Sequence, residues 1–245
     1  MKTANNTTLQ IAENTKSFHP YLILENHSGN KNKLGTTISS TKDRHSDSSY
    51  TISQLYKALK IHYPTAGPRY WSARCWNLIY WQLVYINIVC VHRLHSLIET
   101  DSIIQHARTI SVYGYHFIDR PNALDNKNSG IEPLINNAGI NLRESLEVIF
   151  EQTACSFKLS HKKAFRLVAA TSLNALVTLF TKTNQYRAQD IDCYASSWLS
   201  VMTPEGEADL LINNNQVELV RKACCMHYLL DPNNCCTDCP RFMST

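Results

Sequence analysis

Residues 76–91 read WNLIYWQLVYINIVCV, and this apolar run is the stretch that sets the class of the fold. Its Ile, Val and Tyr content would suit a β-strand, but sixteen residues are too many for one strand. A membrane-spanning helix needs about 20 mostly apolar residues, whereas Asn77, Gln82 and Asn87 interrupt this run. The run therefore predicts a helix buried in a protein core, and we expect no transmembrane segment.

Other helices are predicted on both sides of this run. Upstream, apolar residues from Ile52 to Tyr63 recur at helical spacing until Pro64 ends the pattern. Downstream, Asp101 is expected to cap a helix that reaches about Ser111. The segment Asn141–Glu144 has the form of a capping box, which marks a helix start. The apolar stripe that follows it comprises Leu142, Leu146, Ile149, Phe150 and Phe157.

The C-terminal half is predicted to contain the central helix. It begins near Ser160 and presents a wide apolar face between Phe165 and Phe180. Residues 191–201 form a short helix at best, and residues 210–212 and 217–228 are candidate strands. We therefore expect a mainly α, single helical domain with a short β/loop, cysteine-rich C-terminal tail packed on it.

Composition divides the chain into three parts. Residues 1–49 form a polar N-terminal segment that we expect to be flexible, because residues 26–49 bury too little to hold a fold. Residues 50–215 form the helical domain, and residues 216–245 hold the cysteine-rich segment. The first sixteen residues lack the apolar stretch of a secretory signal, which favours a cytoplasmic protein. The net charge of +4 comes without a Lys/Arg stripe, which argues against nucleic-acid binding.

Five of the nine cysteines lie within sixteen residues, in RKACCMHY (221–228) and CCTDCP (235–240). Disulfides are disfavoured in the reducing cytoplasm, so a metal centre is the better interpretation. A structural zinc site usually uses two C-x-x-C pairs, and only Cys236 and Cys239 have that spacing. A [2Fe–2S] cluster spreads its ligands over two irons, which suits adjacent cysteines better. The spacing favours iron–sulfur over zinc, with a disulfide third. Ordinary buried thiols are expected at Cys75, Cys90, Cys155 and Cys193.

The pattern Cys-Cys, ten residues, Cys, two residues, Cys resembles that of the FhuF-like ferric-siderophore reductases. The RKACCMHY lead-in and the Cys-Pro close at 239–240 are similar to the same family. Three further segments add to the resemblance, which covers roughly residues 50–245 in order: RYWSARCW (69–76), YWQ (80–82) and VH (91–92).

This resemblance implies a cytoplasmic enzyme that reduces ferric iron held in a siderophore by one electron. It also implies that four cysteines, Cys224, Cys225, Cys236 and Cys239, bind a [2Fe–2S] cluster. Cys235 could take the place of Cys236, but only Cys236 gives both the ten-residue gap and the C-x-x-C spacing. No general base or nucleophile stands out, and electron transfer requires none.

The electrons must come from another molecule. The chain has seven glycines, none in a dinucleotide or phosphate-loop fingerprint, so we expect an external ferredoxin or flavoprotein. Four basic residues are either a solvated face or a surface for an acidic ferredoxin: Lys162, Lys163, Arg166 and Arg187.

Candidate substrate and metal residues elsewhere are fewer. Trp71 and Arg74 could meet an anionic siderophore complex, although most aromatic residues nearby are expected in the core. His92, His95 and Glu99 could share a helix face as metal ligands, but a polar helix end is the favoured interpretation. Two other functions stay open at this point, a zinc-binding structural module and a non-enzymatic iron–sulfur sensor or carrier.

Overall fold

A computed structural model describes residues 2–25, 37–40, 48–119, 121, 124–125, 130–183, 187–203, 208–213, 216–233, 235–236 and 238–241. This part of the chain is mainly helical, which confirms the predicted fold class. Its helices are α1 (Lys2–Phe18), α2 (Ser49–His62), α3 (Gly67–Leu94), α4 (Ile131–Thr153), α5 (His161–Thr183) and α6 (Ala188–Met202).

The strands are short and lie in three small antiparallel groups. One group has β1 (Thr37–Ile38), β3 (Ile103–Ala107) and β4 (Val112–Phe117), with β3 in the middle. A second group pairs β2 (Ser96–Leu97) with β5 (Leu124–Asp125). The third is a hairpin of β6 (Ala208–Asn213) and β7 (Gln216–Arg221), which leads directly into the cysteine-rich segment.

The helix α3 lies at the centre of the molecule. Pro68 occupies its first turn, where the missing N–H costs no hydrogen bond, and His95 ends it in the left-handed conformation with φ 47°. Helices α1, α2, α4 and α5 all pack against it. Because neighbours surround it, its residues are buried on every side rather than along one stripe, as the apolar run at 76–91 predicts.

Hydrogen bonds fix α3 against α5. The indole Nε1 of Trp76 donates to the Ala164 carbonyl oxygen at 3.0 Å. The Tyr80 hydroxyl donates to the Leu167 carbonyl oxygen at 3.0 Å and lies 3.0 Å from the Thr171 hydroxyl. Both aromatic side chains are almost completely buried, so these bonds satisfy polar atoms that have no access to water.

The N-terminal segment differs from the flexible chain that the sequence predicts. Residues 2–18 form α1, and Ile11, Phe18 and Leu22 are buried in the main core. These residues lie on one face of the segment, and together they bury enough apolar surface to dock an otherwise polar helix. Arg93 of α3 also donates to the Ser17 hydroxyl at 2.8 Å. The polar stretches 26–36 and 41–47 lie outside the described residues.

The helix predicted from Asp101 to about Ser111 is wrong. Residues 103–107 are β3 instead, and Gln105 lies opposite Tyr115 of β4. Burial alternates along this segment, with Ile103 and Gln105 buried and the residues between them partly exposed. That two-residue period is typical of a strand, and β-branched residues favour it.

The predicted helix start at Asn141 is also wrong. The helix α4 begins ten residues earlier, at Ile131, and Asn141 is an exposed residue within it. Buried positions at Leu134 and Ala138 continue the same spacing that Leu142 and Leu146 show. Asn141 and Glu144, the first and last residues of the capping box, are therefore exposed positions within a longer helix. The predicted stripe is confirmed for Leu142, Leu146 and Ile149, whereas Phe150 is half-buried and Phe157 lies beyond the end of the helix.

The helix α5 is long and apolar enough to cross a membrane by length and composition. However, 67% of its most apolar window is buried inside the protein. It is therefore a core helix, as the wide apolar face between Phe165 and Phe180 predicts. The β6–β7 hairpin packs on α5. The predicted domain boundary at residue 215 falls between the two strands of this hairpin, and the irregular cysteine-rich tail begins only after Arg221.

Candidate metal centre and adjoining cavity

The cysteine-rich segment folds back on itself after β7. A single 3₁₀ turn spans His227–Leu229, preceded by Met226 in the left-handed conformation with φ 65°. The backbone N–H of Asn233 then donates to the Asp231 carboxylate at 3.1 Å, which closes the turn that the Asp-Pro sequence predicts. This turn returns the second group of cysteines to the first.

The returning chain brings four thiols together as two pairs. The Sγ atoms of Cys225 and Cys236 are 3.5 Å apart. Cys224 and Cys239 form the second pair, in which the two side chains are close enough to interact. A disulfide has its sulfurs about 2.05 Å apart, and all the described cysteines are free thiols. Each pair therefore joins one cysteine of 224–225 to one cysteine of the C-x-x-C segment.

Cys235 does not join these pairs. Its thiol instead lies 3.5 Å from the Pro232 carbonyl oxygen. Cys236, in contrast, contacts Cys225, and its carbonyl oxygen accepts the backbone N–H of Cys239 at 3.1 Å. Cys236, and not the adjacent Cys235, therefore pairs with another cysteine.

Burial and the neighbouring sulfurs raise the pKa of two of these thiols, Cys224 and Cys236. Desolvation, and then the nearby Cys225 sulfur, raises the pKa of Cys236 to about 11. Desolvation also raises the pKa of Cys224, although the Met226 N–H that donates to its sulfur at 3.3 Å opposes this. A metal centre must therefore displace protons to bind here, and its own positive charge would provide the driving force.

The described residues form no complete set of ligands for a single metal ion. Among the described residues, no group of three or more His, Cys, Asp or Glu side chains lies close enough to hold one metal ion. The thiols are arranged two by two, and a 3.5 Å sulfur separation is close to the roughly 3.7 Å edge of a tetrahedral thiolate site with bonds of about 2.3 Å. A [2Fe–2S] cluster takes two thiolates on each of its irons.

One cysteine pair forms part of the wall of a large cavity. This cavity has a volume of about 720 Å³, which lies within the range of small-molecule sites. The wall combines α3, α5, the chain after α1, the start of β4 and the cysteine segment. Cys225 and Cys236 line it, whereas Cys224 and Cys239 do not.

The cavity wall is rich in aromatic rings and amides. Asn77 and Asn174 supply the amides, and no carboxylate side chain of the described chain lines the cavity. The aromatic residues and histidines come from four separate segments: His19, Tyr21, Tyr70, Tyr80, Trp81, Tyr85, Tyr113 and His227. A wall of this kind binds a ligand with both apolar and hydrogen-bonding surface.

Two arginines reach the cavity in different states. Arg221 forms a salt bridge with Asp238 of the cysteine segment, so its charge is largely offset. Arg74 has only a weak contact, 3.4 Å from its Nη1 to the Asn77 amide oxygen, and no carboxylate partner among the described residues. Arg74 is therefore the cation available to a ligand.

Trp71 lies away from this cavity. Its indole Nε1 donates to the Tyr63 carbonyl oxygen at 2.8 Å, and its ring meets that of Tyr56 edge-on, with 6.4 Å between centroids. Of the two substrate residues predicted from the sequence, the structure brings Arg74 to the cavity and places Trp71 between α2 and α3.

The His92, His95 and Glu99 group is not brought together. The helix α3 ends before His95, and His92 is buried, with the Trp198 indole donating to its Nε2 at 2.9 Å. Desolvation, and then repulsion by His95, lowers the pKa of His92 to about 3. His92 is therefore a neutral core histidine rather than part of a polar helix end.

The remaining cysteines divide into two types. Cys75 and Cys90 are buried, as the sequence predicts, and desolvation raises the pKa of Cys90 to about 12. Cys155 and Cys193 are exposed instead, so the prediction of buried thiols is wrong for them. None of the four lines the cavity.

Sequence reasoning missed most of the cavity wall. Tyr70 and Asn77 are two helical turns apart on α3, and Thr171 and Asn174 are one turn apart on α5. Residues that face a cavity and residues that face the core have the same periodicity. His19 comes from the segment that the sequence predicts to be flexible. The cavity forms where α3 and α5 pack side by side, and no segment of the sequence shows this by itself.

In comparisons with known proteins, no family model matches the chain and no solved structure matches it. The function is therefore argued from the cysteine pairs and the cavity.

Proposed function

We propose that this protein is a cytoplasmic ferric-siderophore reductase. In this proposal Cys224, Cys225, Cys236 and Cys239 hold a [2Fe–2S] cluster, and the adjoining cavity receives the ferric complex. The observation that carries the proposal is the position of Cys225 and Cys236, which pair with each other and also form part of the cavity wall. A redox centre bound there would lie beside any ligand in the cavity.

The cysteine pairs support a cluster of two irons. Each pair could serve one iron, with one ligand from residues 224–225 and one from residues 236–239. When bound, such a cluster supplies a carrier for one electron. The resemblance to FhuF-like reductases, which rests on the same four cysteines, points to the same cofactor.

The residues that approach the sulfurs would tune the centre. The Met226 N–H donates to Cys224, and the Arg221 guanidinium opposes the rise of the Cys236 pKa. Hydrogen bonds and positive charge near sulfur stabilise the more negative state of an iron–sulfur centre and raise its potential. These residues would therefore make reduction of the centre easier.

The reaction needs only electron transfer and positioning. Ferric iron is a hard cation held tightly by siderophore oxygens, whereas ferrous iron has a lower charge density and is held weakly. One electron converts the first into the second, and the metal then leaves without the cleavage of a covalent bond.

The cavity suits a chelate in size and in chemistry. Aromatic rings such as Trp81 and Tyr113 can pack against the organic backbone of a siderophore, while Asn77 and Asn174 can hydrogen bond its carbonyl and hydroxyl groups. Arg74 can meet anionic donor oxygens. The wall would hold the complex beside the Cys225–Cys236 pair and exclude bulk water.

The cytoplasm is the compartment that this chemistry requires. The cysteines are free thiols, a state that the reducing cytoplasm maintains. The chain carries no nucleotide fingerprint, so a ferredoxin or a flavoprotein would supply the electrons.

The direct test is a reoxidation experiment on anaerobically purified protein. The protein is reduced with dithionite, freed of excess reductant and mixed with a ferric siderophore in a stopped-flow spectrometer, with a ferrous-iron indicator present. We expect the visible spectrum to return to the oxidised form while about one ferrous ion appears per electron donated. A gallium siderophore of the same shape, which accepts no electron, is the control.

Two results would redirect the proposal. A colourless protein that binds zinc would indicate a structural module. A coloured protein whose reduced form is not reoxidised by any ferric chelate would indicate an iron–sulfur sensor or carrier instead.

A further inference from the structure

We infer that the salt bridge between Arg221 and Asp238 positions the second group of cysteines, so that Cys236 meets Cys225 at the cavity wall. Neither charged residue is a metal ligand in this inference. Arg221 acts through Asp238, and Asp238 acts through the cysteines on either side of it. The inference rests on the proposed function, because it assigns residues that hold the proposed metal centre in place.

One partner of the salt bridge belongs to the scaffold. Arg221 is the last residue of β7, where it lies opposite Ala208 of β6. The hairpin of these two strands packs on the core helix α5. Strand pairing and packing therefore fix Arg221 before the irregular segment begins. A group on a rigid element can hold a neighbouring loop in one position.

The other partner lies inside the C-x-x-C motif. Asp238 falls between Cys236 and Cys239 in the sequence CTDC (236–239). The Cys239 N–H donates to the Cys236 carbonyl oxygen at 3.1 Å, so these residues form one tight turn. A contact at Asp238 therefore fixes two cysteines together. Each belongs to a different pair, because Cys236 contacts Cys225 and Cys239 lies with Cys224.

The surroundings of this salt bridge differ from those of an exposed one. The side chains of Arg221 and Asp238 are 22% and 20% exposed, whereas those of Arg187 and Asp190, at the start of α6, are 83% and 33% exposed. Water and salt screen the exposed pair more strongly. Removal of one partner from a partly buried pair also leaves the other charge without compensation. The Arg221–Asp238 pair should therefore resist displacement of the turn.

Two other contacts join the returning chain to the residues before it. The sulfur contact between Cys225 and Cys236 is 3.5 Å long, and a thiol is a weak hydrogen-bond donor. Arg241 reaches back to Tyr228, with its guanidinium carbon 4.0 Å from the ring centroid, but Arg241 is exposed. A salt bridge between partly buried charges should contribute more than either contact to the position of the C-x-x-C turn.

The consequence for a metal centre is preorganisation of its ligands. Groups that orient metal ligands without binding the metal typically change metal affinity about 10–100-fold when they are removed. Arg221 and Cys236 also both line the cavity. The same salt bridge would therefore fix where the centre lies relative to a ligand in the cavity.

Three variants separate position from charge. Arg221→Gln removes a positive charge near the thiols and Asp238→Asn removes a negative one, so a charge effect alone would act in opposite directions. The double variant Arg221→Gln/Asp238→Asn has the net charge of the wild type but lacks the salt bridge. A positioning role predicts that all three variants hold metal less well. A pure charge effect predicts that the double variant behaves like the wild type.

The measurement is the rate at which anaerobically purified full-length protein loses its metal to excess EDTA, followed by elemental analysis. We expect each of the three variants to lose metal at least about tenfold faster than the wild type. Arg221→Lys keeps the charge and can still contact Asp238, so it should restore part of the difference. The matched control is Arg187→Gln/Asp190→Asn, which removes an exposed salt bridge and should change the rate less than twofold.

Failure of this inference is distinct from failure of the proposed function. The inference is overturned when the double variant keeps its metal as long as the wild type does. Asp238→Asn changes the shape of the side chain little, so a wild-type rate in this variant overturns the inference even where Arg221→Gln disturbs the hairpin. Variants with wild-type rates whose reduced centre still reduces a ferric siderophore leave the reductase proposal standing. A wild type that holds zinc, and variants that lose it faster, would contradict the reductase proposal and support the positioning role.

Discussion

The helical scaffold and the cysteine segment are held in place by different kinds of interaction. The contact between α3 and α5 is dry and regular, with Trp76 and Tyr80 buried and hydrogen bonded to α5 carbonyl oxygens. In its described residues, the segment after Arg221 has one short 3₁₀ turn, few backbone hydrogen bonds and four thiols that are paired only by weak sulfur contacts. The scaffold is stabilised by burial, whereas the segment would gain most of its stability from a bound metal centre.

The largest effect should come from the cysteines. Replacing Cys236 with Ser removes a thiol that contacts Cys225, so we expect complete loss of the metal centre, seen as loss of metal in elemental analysis. Cys235→Ser is the matched control, because that thiol contacts the Pro232 carbonyl oxygen instead. The control should keep its metal. Equal loss of metal in both variants would show that contact with Cys225 does not distinguish Cys236 from Cys235 as a metal ligand.

The scaffold should respond in the opposite way. Trp76→Ala removes a fully buried indole together with its bond to Ala164, and such changes cost about 3–5 kcal/mol of unfolding free energy. Urea unfolding of the wild type and the variant, both without metal, gives this difference. Cys236→Ser should shift the same curve by less than about 1 kcal/mol, since a half-buried thiol contributes little without metal. A Cys236→Ser effect as large as that of Trp76→Ala would remove the distinction between the two regions.

The scaffold should also lose stability in acid because of His92. Its pKa is about 3 in the folded protein, whereas an unperturbed histidine has a pKa of about 6.5, so the unfolded chain binds the extra proton between these values. The stability from neutral His92 is therefore complete above pH 6.5 and falls as the pH drops toward 3, by up to about 1.4 kcal/mol per pH unit.

The His92 prediction is checked with His92→Gln. Glutamine does not titrate, and its amide oxygen can accept the Trp198 indole N–H that His92 accepts. Urea unfolding between pH 7 and pH 5 should show a smaller loss of stability in the variant than in the wild type. Parallel pH profiles would mean that another group causes the acid sensitivity.

The smallest effect concerns the cavity. Arg74→Gln removes the cavity cation that has no carboxylate partner among the described residues, so binding of an anionic gallium siderophore should weaken about tenfold, or about 1.4 kcal/mol. Quenching of tryptophan fluorescence measures this affinity without electron transfer. Trp71→Phe is the control, because Trp71 lies outside the cavity, and it should leave the affinity unchanged. Unchanged affinity in Arg74→Gln would remove Arg74 from the proposed substrate site.

The same contrast explains what the sequence could predict. Helical periodicity predicts α2 and α5, because burial against a neighbour repeats every turn of a helix, and the length of the apolar run at 76–91 predicts α3. A short motif is a weaker predictor. The capping box at Asn141 does not start a helix, because the longer apolar pattern of α4 begins at Ile131 and continues through it. Asp101 is a typical helix-capping residue and so predicts a helix start. The alternating burial of the residues after it is typical of a strand, and they form β3.

The candidate site was predictable in its cysteines and in Arg74. Spacing alone left Cys235 and Cys236 open, and the return of the chain after Asp231 is what separates them. The cavity could not be predicted, because its wall draws single residues from elements far apart in the chain, among them His19, Asn77 and Asn174. No local pattern marks such residues before the helices are packed.

The most direct test of the central claim is to count metal and sulfide in anaerobically purified wild-type protein. A two-iron centre held by the cysteine pairs predicts about two irons and two acid-labile sulfides per chain, with a visible spectrum that dithionite bleaches. About one zinc per chain, no sulfide and no colour after anaerobic reconstitution would contradict it.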